Sequence, residues 1–138
     1  MAKRDLPPLS EAQLEIVNVV WDRGEVTVGE VWKTLARRRR ISRNTVSTVI
    51  TRLEEKGWLR HRVSEGAYLY SAAHPREKIL PRLVHRLVDA AFCGSAEGLV
   101  FALLEGGRLS ADEVERIKDM LERAEDELRE DELREDER

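Results

Sequence analysis

One short stretch gathers Asn44, Thr45, Ser47, Thr48 and Thr51 between Arg43 and Arg52. Hydroxyl and carboxamide groups both donate and accept hydrogen bonds, and at this size they reach the edges of nucleic-acid bases without holding a backbone away from them. Guanidinium groups at either end suit phosphate oxygens. Wound at 3.6 residues per turn, the segment puts Val46, Val49, Ile50 and Leu53 on one stripe and Asn44, Thr48, Thr51 and Glu55 opposite, flanked by Thr45, Ser47 and Arg52. Ser and Thr are poor helix formers, so packing of the apolar stripe must hold the segment helical while the polar edge stays free. A plain solvated helix face would carry Lys, Glu and Ala in these places. The sequence therefore predicts a helix lying in a DNA major groove, with base contacts from Asn44, Thr45, Ser47, Thr48 and Thr51 and phosphate contacts from Arg43 and Arg52.

Other basic residues extend this expectation. Arg40, Arg60 and Arg62 are assigned to phosphates. The run Arg37 to Arg40 also has a purely structural reading, because cations at a helix C-terminus are favoured by the helix dipole. Arg60, His61 and Arg62 alternate along one predicted strand, whose bland reading is a solvated face.

No catalytic chemistry is assembled elsewhere. Glycine-rich phosphate loop, paired metal-binding histidines and nucleophile elbow are all missing from the sequence, and the acidic residues are scattered over helical surfaces. His85, Asp89 and Cys93 are spaced i, i+4, i+8, but Arg82 and Arg86 beside them disfavour a divalent ion, so a polar helix face is expected and no metal or cofactor. His74 is expected to be exposed at a junction. Cys93 reads as a small apolar residue rather than a redox sensor, and as the single cysteine it forms no intrachain disulfide, which fits a reducing compartment.

The elements that must position the polar helix are signalled in order. Leu9-Ser10-Glu11-Ala12-Gln13 is a capping box with Leu9 set to staple onto Leu14, opening a helix whose buried stripe is Leu14, Val17, Val20 and Trp21. Asp22-Arg23-Gly24 closes it. Val26 predicts a brief strand, and Thr27 with Glu30 forms a second capping box that opens a helix built on Val31, Trp32 and Leu35. Ser42 caps the third helix, from about Arg43 to Lys56. Trp58 to Val63 alternates and returns through Ser64-Glu65-Gly66-Ala67 into Tyr68 to Ser71, which predicts a β-hairpin. The fold class expected is mainly α with a small β-hairpin: a winged helix-turn-helix domain followed by an α-helical dimerisation domain.

Charge divides the 138 residues in the same way. Residues 1–76 hold 14 Lys and Arg against 9 Asp and Glu, net +5, whereas residues 77–138 hold 10 against 18, net −8. A basic part and an acidic part are what a chain shows when only the first faces phosphate. Pro75 marks the junction. Beyond it Ile79, Leu80, Leu83, Val84, Leu87, Val88 and Ala91 form one apolar face, Leu99 to Leu104 a short apolar helix, and Ser110 to Glu113 a third capping box. Val114, Ile117, Leu121, Ala124 and Leu128 then follow a heptad spacing. About two heptads are too few for an independent coiled coil. These helices are too short and apolar for a monomeric core, so a second copy is expected across Leu83, Leu87, Phe92, Leu99, Leu103, Val114, Ile117 and Leu121. The domain expectation is 1–76 winged helix-turn-helix, 77–125 helical dimerisation, and 126–138 an acidic tail, a frayed helix or disordered. No apolar run approaches the ~20 residues of a membrane span and the N-terminus lacks a signal-peptide core, so a cytoplasmic location without membrane insertion is expected.

Residues 9 to about 125 resemble the penicillinase and methicillin-resistance repressor family (BlaI/MecI/CopY). The resemblance rests on Leu-Ser-Glu-Ala-Gln at 9–13 with Trp21, on Thr45-Val46-Ser47-Thr48 followed by Thr51-Arg52-Leu53 and Lys56-Gly57, on Tyr68 and Tyr70, and on the Leu109 to Leu121 segment. It implies a homodimeric repressor whose winged domains read an inverted-repeat operator until a signal intervenes, by proteolysis in several members. Here Ala102-Leu103 stands where those members have the cleaved Asn-Phe pair, the cysteine cluster of copper-sensing relatives is missing, and Gly66-Ala67 replaces a frequent Gly-Arg in the wing. A regulatory protease or a small-molecule inducer is left open as partner. Two alternatives remain at this point: a ligand-responsive winged-helix sensor with a cavity near Phe92, Phe101 and Leu104, and a winged-helix protein-interaction adaptor.

Overall fold

The structure is a computed structural model and describes residues 6–137. The N-terminal residues 1–5, on which the reading of a missing signal sequence partly rests, and the last residue of the acidic tail lie outside the described residues. The elements run α1 (Glu11–Arg23), α2 (Val28–Ala36), α3 (Arg43–Glu55), β1 (Leu59–Ser64), β2 (Ala67–Ala72), α4 (Arg76–Ala91), α5 (Ala96–Glu105) and α6 (Ala111–Asp136). The chain is mainly helical with one antiparallel hairpin, the winged-helix class the sequence predicts.

Local chemistry sets the helix starts. Ser10 and Gln13 close a reciprocal capping box at α1, and Thr27 and Glu30 close another at α2, so two otherwise unpaired N–H groups are met at each end. At α6 only half of the expected box forms, Ser110 Oγ accepting from the Glu113 N–H. In the hairpin, Leu59 pairs with Ala72 and Ser64 with Ala67. Glu65 and Gly66 take φ of 51° and 77°, the two positive values that a tight primed turn requires. Val26 adds a third, one-residue strand, exchanging hydrogen bonds of 2.9 and 2.7 Å with Tyr70.

The core of this first body is built from Ile16, Val17 and Val20 of α1, Val31 and Leu35 of α2, Val46, Ile50 and Leu53 of α3, with Leu59, Tyr70 and Ile79. The stripe expected on α1 needs correction. Ile16 and Val19 are buried, whereas Leu14 and Trp21 are only half-buried, because α1 packs against α2 and α3 on one side and β2 on another. Trp21 instead spans the surface: its indole N–H donates to the His74 carbonyl at 2.9 Å, and the Arg76 guanidinium lies 5.3 Å from its ring while also binding Asp22 at 2.7 Å.

The chain divides into two compact units between Arg86 and Leu87, rather than at 76 where the charge changes sign. The start of α4 belongs with the winged unit because Ile79 is only 2% exposed in its core. The second unit holds the end of α4 with α5 and α6. Cys93 and Gly94 both take positive φ in the turn before Ser95, which caps α5. Of the two expectations for the acidic stretch from 126, a frayed helix or disorder, a helix is found: α6 continues to Asp136, with Arg129 paired to Glu125 and Arg134 to Asp131 one turn apart.

Candidate nucleic-acid interface

The polar helix is held by its other side. Val46, Ile50 and Leu53 are completely buried, which stabilises their placement by about 1.5 to 3 kcal/mol each. Val49 packs on the edge of that core. Before α3, the Trp32 indole N–H donates to the Ile41 carbonyl at 2.9 Å and fixes the turn between α2 and α3. Ser42 then caps α3, its Oγ accepting from the Thr45 N–H at 3.1 Å.

On the outer side, Asn44, Thr45, Thr48 and Thr51 are exposed and Ser47 is half-exposed. Their polar atoms are not equally free. The Thr45 hydroxyl shares a 2.8 Å hydrogen bond with the Ser42 hydroxyl, and the Thr51 hydroxyl donates to the Ser47 carbonyl at 3.0 Å. Among the described residues, the side chains of Asn44, Ser47 and Thr48 have no hydrogen-bond partner, so these three keep their full capacity for an outside ligand.

The basic residues divide likewise. Arg40, Arg43, Arg52 and Arg60 are exposed and, among the described residues, make no ion pair. Arg43 lies over the start of α2, its Nη2 3.3 Å from where a side chain on Gly29 would begin. Arg39 is tied to Glu15 at 3.2 Å, so part of the arginine run braces α2 against α1. Arg62, expected on phosphate, is instead engaged: its Nε and Nη2 grip the Glu25 carboxylate at 2.6 and 2.9 Å. That pairing, chiefly through its hydrogen bonds, holds Glu25 below the usual carboxylate range and raises Arg62.

The hairpin carries a second contact that the sequence did not indicate. His61 Nδ1 lies 2.5 Å from Glu54 of α3, and its ring stacks on Tyr68 with centroids 4.3 Å apart and near Tyr70 at 5.4 Å. The wing is thereby fastened to the end of the polar helix. Burial first, and then the negative charge of Glu54, push the Tyr70 phenol above its ordinary value. The N-terminal segment also joins this side, the Trp58 indole donating to the Pro7 carbonyl at 3.1 Å.

Of the residues expected at a subunit interface, Leu83 is half-buried against the winged core. Leu87, Leu103 and Leu121 are exposed, with Leu121 at 62%, and Phe92, Leu99, Val114 and Ile117 are half-buried. Neither α5 nor α6 contains a buried residue. A cleft of about 410 Å³ lies in the first unit among Leu6, Trp58, Ile79, Arg82, Leu83 and Arg86, and none of Phe92, Phe101 and Leu104 reaches it. Among the described residues no group of three His, Cys, Asp or Glu is placed to hold a metal, and no single helix is long and apolar enough to cross a membrane.

Residues 9–123 match the family described as Penicillinase repressor. The chain is 30% identical over 123 residues to "Transcriptional regulator BlaI" of Mycobacterium tuberculosis (strain CDC 1551 / Oshkosh), covering 88% of this chain and 86% of that protein. It is 26% identical to "Penicillinase repressor" of Bacillus licheniformis, covering 86% and 93%. Among solved structures, a MarR mutant from E. coli complexed with operator DNA superposes with a TM-score of 0.51 at 20% identity, over 84% of this chain and 75% of that one, a likeness of fold.

Proposed function

The chain belongs to the penicillinase repressor family, whose members are transcriptional repressors and not enzymes, and we propose that it represses transcription as a cytoplasmic homodimer on an inverted-repeat operator. Residues up to Arg86 act as the DNA-binding unit and those from Leu87 as the dimerisation unit. One observation supports this reading above the others: α3 buries Val46, Ile50 and Leu53 on its inner side, and on its outer edge Asn44, Ser47 and Thr48 have no hydrogen-bond partner among the described residues. Asn44, Ser47 and Thr48, with the remaining polar atoms of Thr45 and Thr51, read base edges, while Arg40, Arg43, Arg52 and Arg60 hold phosphates. Dimerisation is supported by α5 and α6, which bury no residue of their own and expose Val100, Phe101, Leu104 and Leu121.

Two-fold symmetry in the protein sets half-sites about one helical turn apart, ~34 Å, or a multiple of it. Selection from a random duplex pool, with sedimentation of the free protein, tests the proposal. Enrichment of one inverted repeat by a dimer supports it. Enrichment of nothing at low salt, by a stable dimer, would favour a protein-interaction adaptor instead.

A further inference from the structure

Arg60 and Arg62 are two residues apart on β1 and therefore share a face of the hairpin, opposite the His61 ring. Ser71 stands across from Arg60 in the register, and Glu25, Arg60, His61, Arg62 and Ser71 line one shallow depression. Two guanidinium groups and a hydroxyl around a hollow make a seat for a tetrahedral oxyanion. The seat is filled from within the molecule: the Glu25 carboxylate meets the Nε and Nη2 edge of Arg62 with both oxygens, the fork that a phosphate would use. Arg60 beside it makes no ion pair among the described residues.

We propose that Glu25 is a built-in competitor for DNA phosphate on the wing, so that Arg62 contributes to DNA binding only when a phosphate displaces this carboxylate. The inference rests on the DNA-binding function proposed above and adds a residue that opposes it. Arg62 and Glu25 keep 59% and 43% of their side-chain surface exposed, so solvent and a polyanion both reach the pair. An exposed pair of this kind is worth little on its own, and one anionic acceptor readily replaces another. Displacement nevertheless leaves the freed carboxylate next to a polyanion, and that penalty applies to every DNA sequence. Glu25 sits immediately before Val26, whose two hydrogen bonds to Tyr70 keep the backbone beside the hairpin, so the carboxylate stays close after displacement.

Glu25→Gln keeps the size and one of the two oxygens that accept from Arg62, and removes the charge. Binding of Glu25→Gln, Arg62→Gln and the double variant to an operator duplex and to a random duplex, over a salt series, tests the proposal, with circular dichroism and melting to verify that each is folded. Glu25→Gln should bind both duplexes severalfold more tightly, with a salt slope steeper by about 0.9, the value for one added phosphate contact. Its advantage over wild type should shrink about threefold between 50 and 200 mM salt, again from that slope. The double variant should lose the gain. Glu25→Gln binding equal to or weaker than wild type, with an unchanged slope, would overturn the competitor and make the pair a brace of the wing. Wild-type protein that binds neither duplex at low salt would overturn the DNA-binding function, and this inference with it.

Discussion

Replacing Ser42 by alanine removes one oxygen that serves both the stability of α3 and its surface chemistry. Ser42 Oγ accepts from the Thr45 N–H at 3.1 Å and shares a 2.8 Å bond with the Thr45 hydroxyl. Loss of a helix N-cap to alanine costs about 1 kcal/mol, within a range of roughly 0.5 to 2. Both residues are exposed, so water replaces the lost acceptor and the value should stay near the middle of that range. In denaturant the midpoint should fall with an unchanged slope, the sign of altered stability without altered compactness. The same cost appears in DNA binding, because a frayed first turn must be re-formed before Asn44 and Thr45 meet bases. One kcal/mol corresponds to about a fivefold weaker operator complex, read by fluorescence anisotropy on a labelled duplex. Ser42→Asp should restore stability by capping again, yet bind DNA less well because it sets a negative charge at that end of α3. A stability loss of about 1 kcal/mol with unchanged operator affinity would show that the first turn of α3 does not face DNA.

Further outcomes follow from the same contacts. Thr48→Val, at an exposed position, should leave stability nearly unchanged and alter preference at one base pair per half-site, by about 1 to 3 kcal/mol of discrimination; selection from a random pool reads this. Arg52→Ala should weaken operator and random DNA alike and flatten the salt slope by about 0.9; loss confined to the operator would instead make Arg52 a base reader. Leu121→Glu should convert the proposed dimer to monomer in sedimentation while the winged unit melts as before, since Leu121 is 62% exposed within one chain; a dimer in both proteins would move the interface elsewhere. Tyr70 should ionise above 10.0 in an ultraviolet titration. The folded state holds that proton more tightly, so its contribution to stability is complete below the ordinary phenol value and is lost as pH rises through the raised one. Ionisation of Tyr70 at the ordinary phenol value would contradict the part given to burial.

Local periodicity made α3 readable. The spacing of Val46, Ile50 and Leu53 and the cap at Ser42 depend only on the helix itself, and they recur in the structure unchanged. The hairpin turn at Glu65 and Gly66 was equally local. What escaped the sequence joins distant residues: Glu25 grips Arg62 from 37 positions away, and the Trp58 indole finds the Pro7 carbonyl from 51. No pattern in the chain announces such pairs, because they depend on how elements approach. The α4 stripe shows a different limit. Its period is regular from Ile79 to Ala91, yet Ile79 and Leu83 pack on the winged core while Leu87 is exposed, and a continuous stripe does not show where one partner ends. The α1 stripe is wider than its own period indicates for the same reason, since α2, α3 and β2 all pack on α1 and Ile16 and Val19 are buried with it.

If the outer edge of α3 enters a major groove in each half-site, base-analogue interference detects it most directly. Single substitutions of uracil for thymine and 7-deazaguanine for guanine remove a methyl group or an acceptor that only the major groove displays. Two symmetric clusters of weakened binding, one per half-site, whose pattern changes in Thr48→Val, are the result expected. Binding that is indifferent to every such substitution, or that responds only to changes in the minor groove, would contradict it.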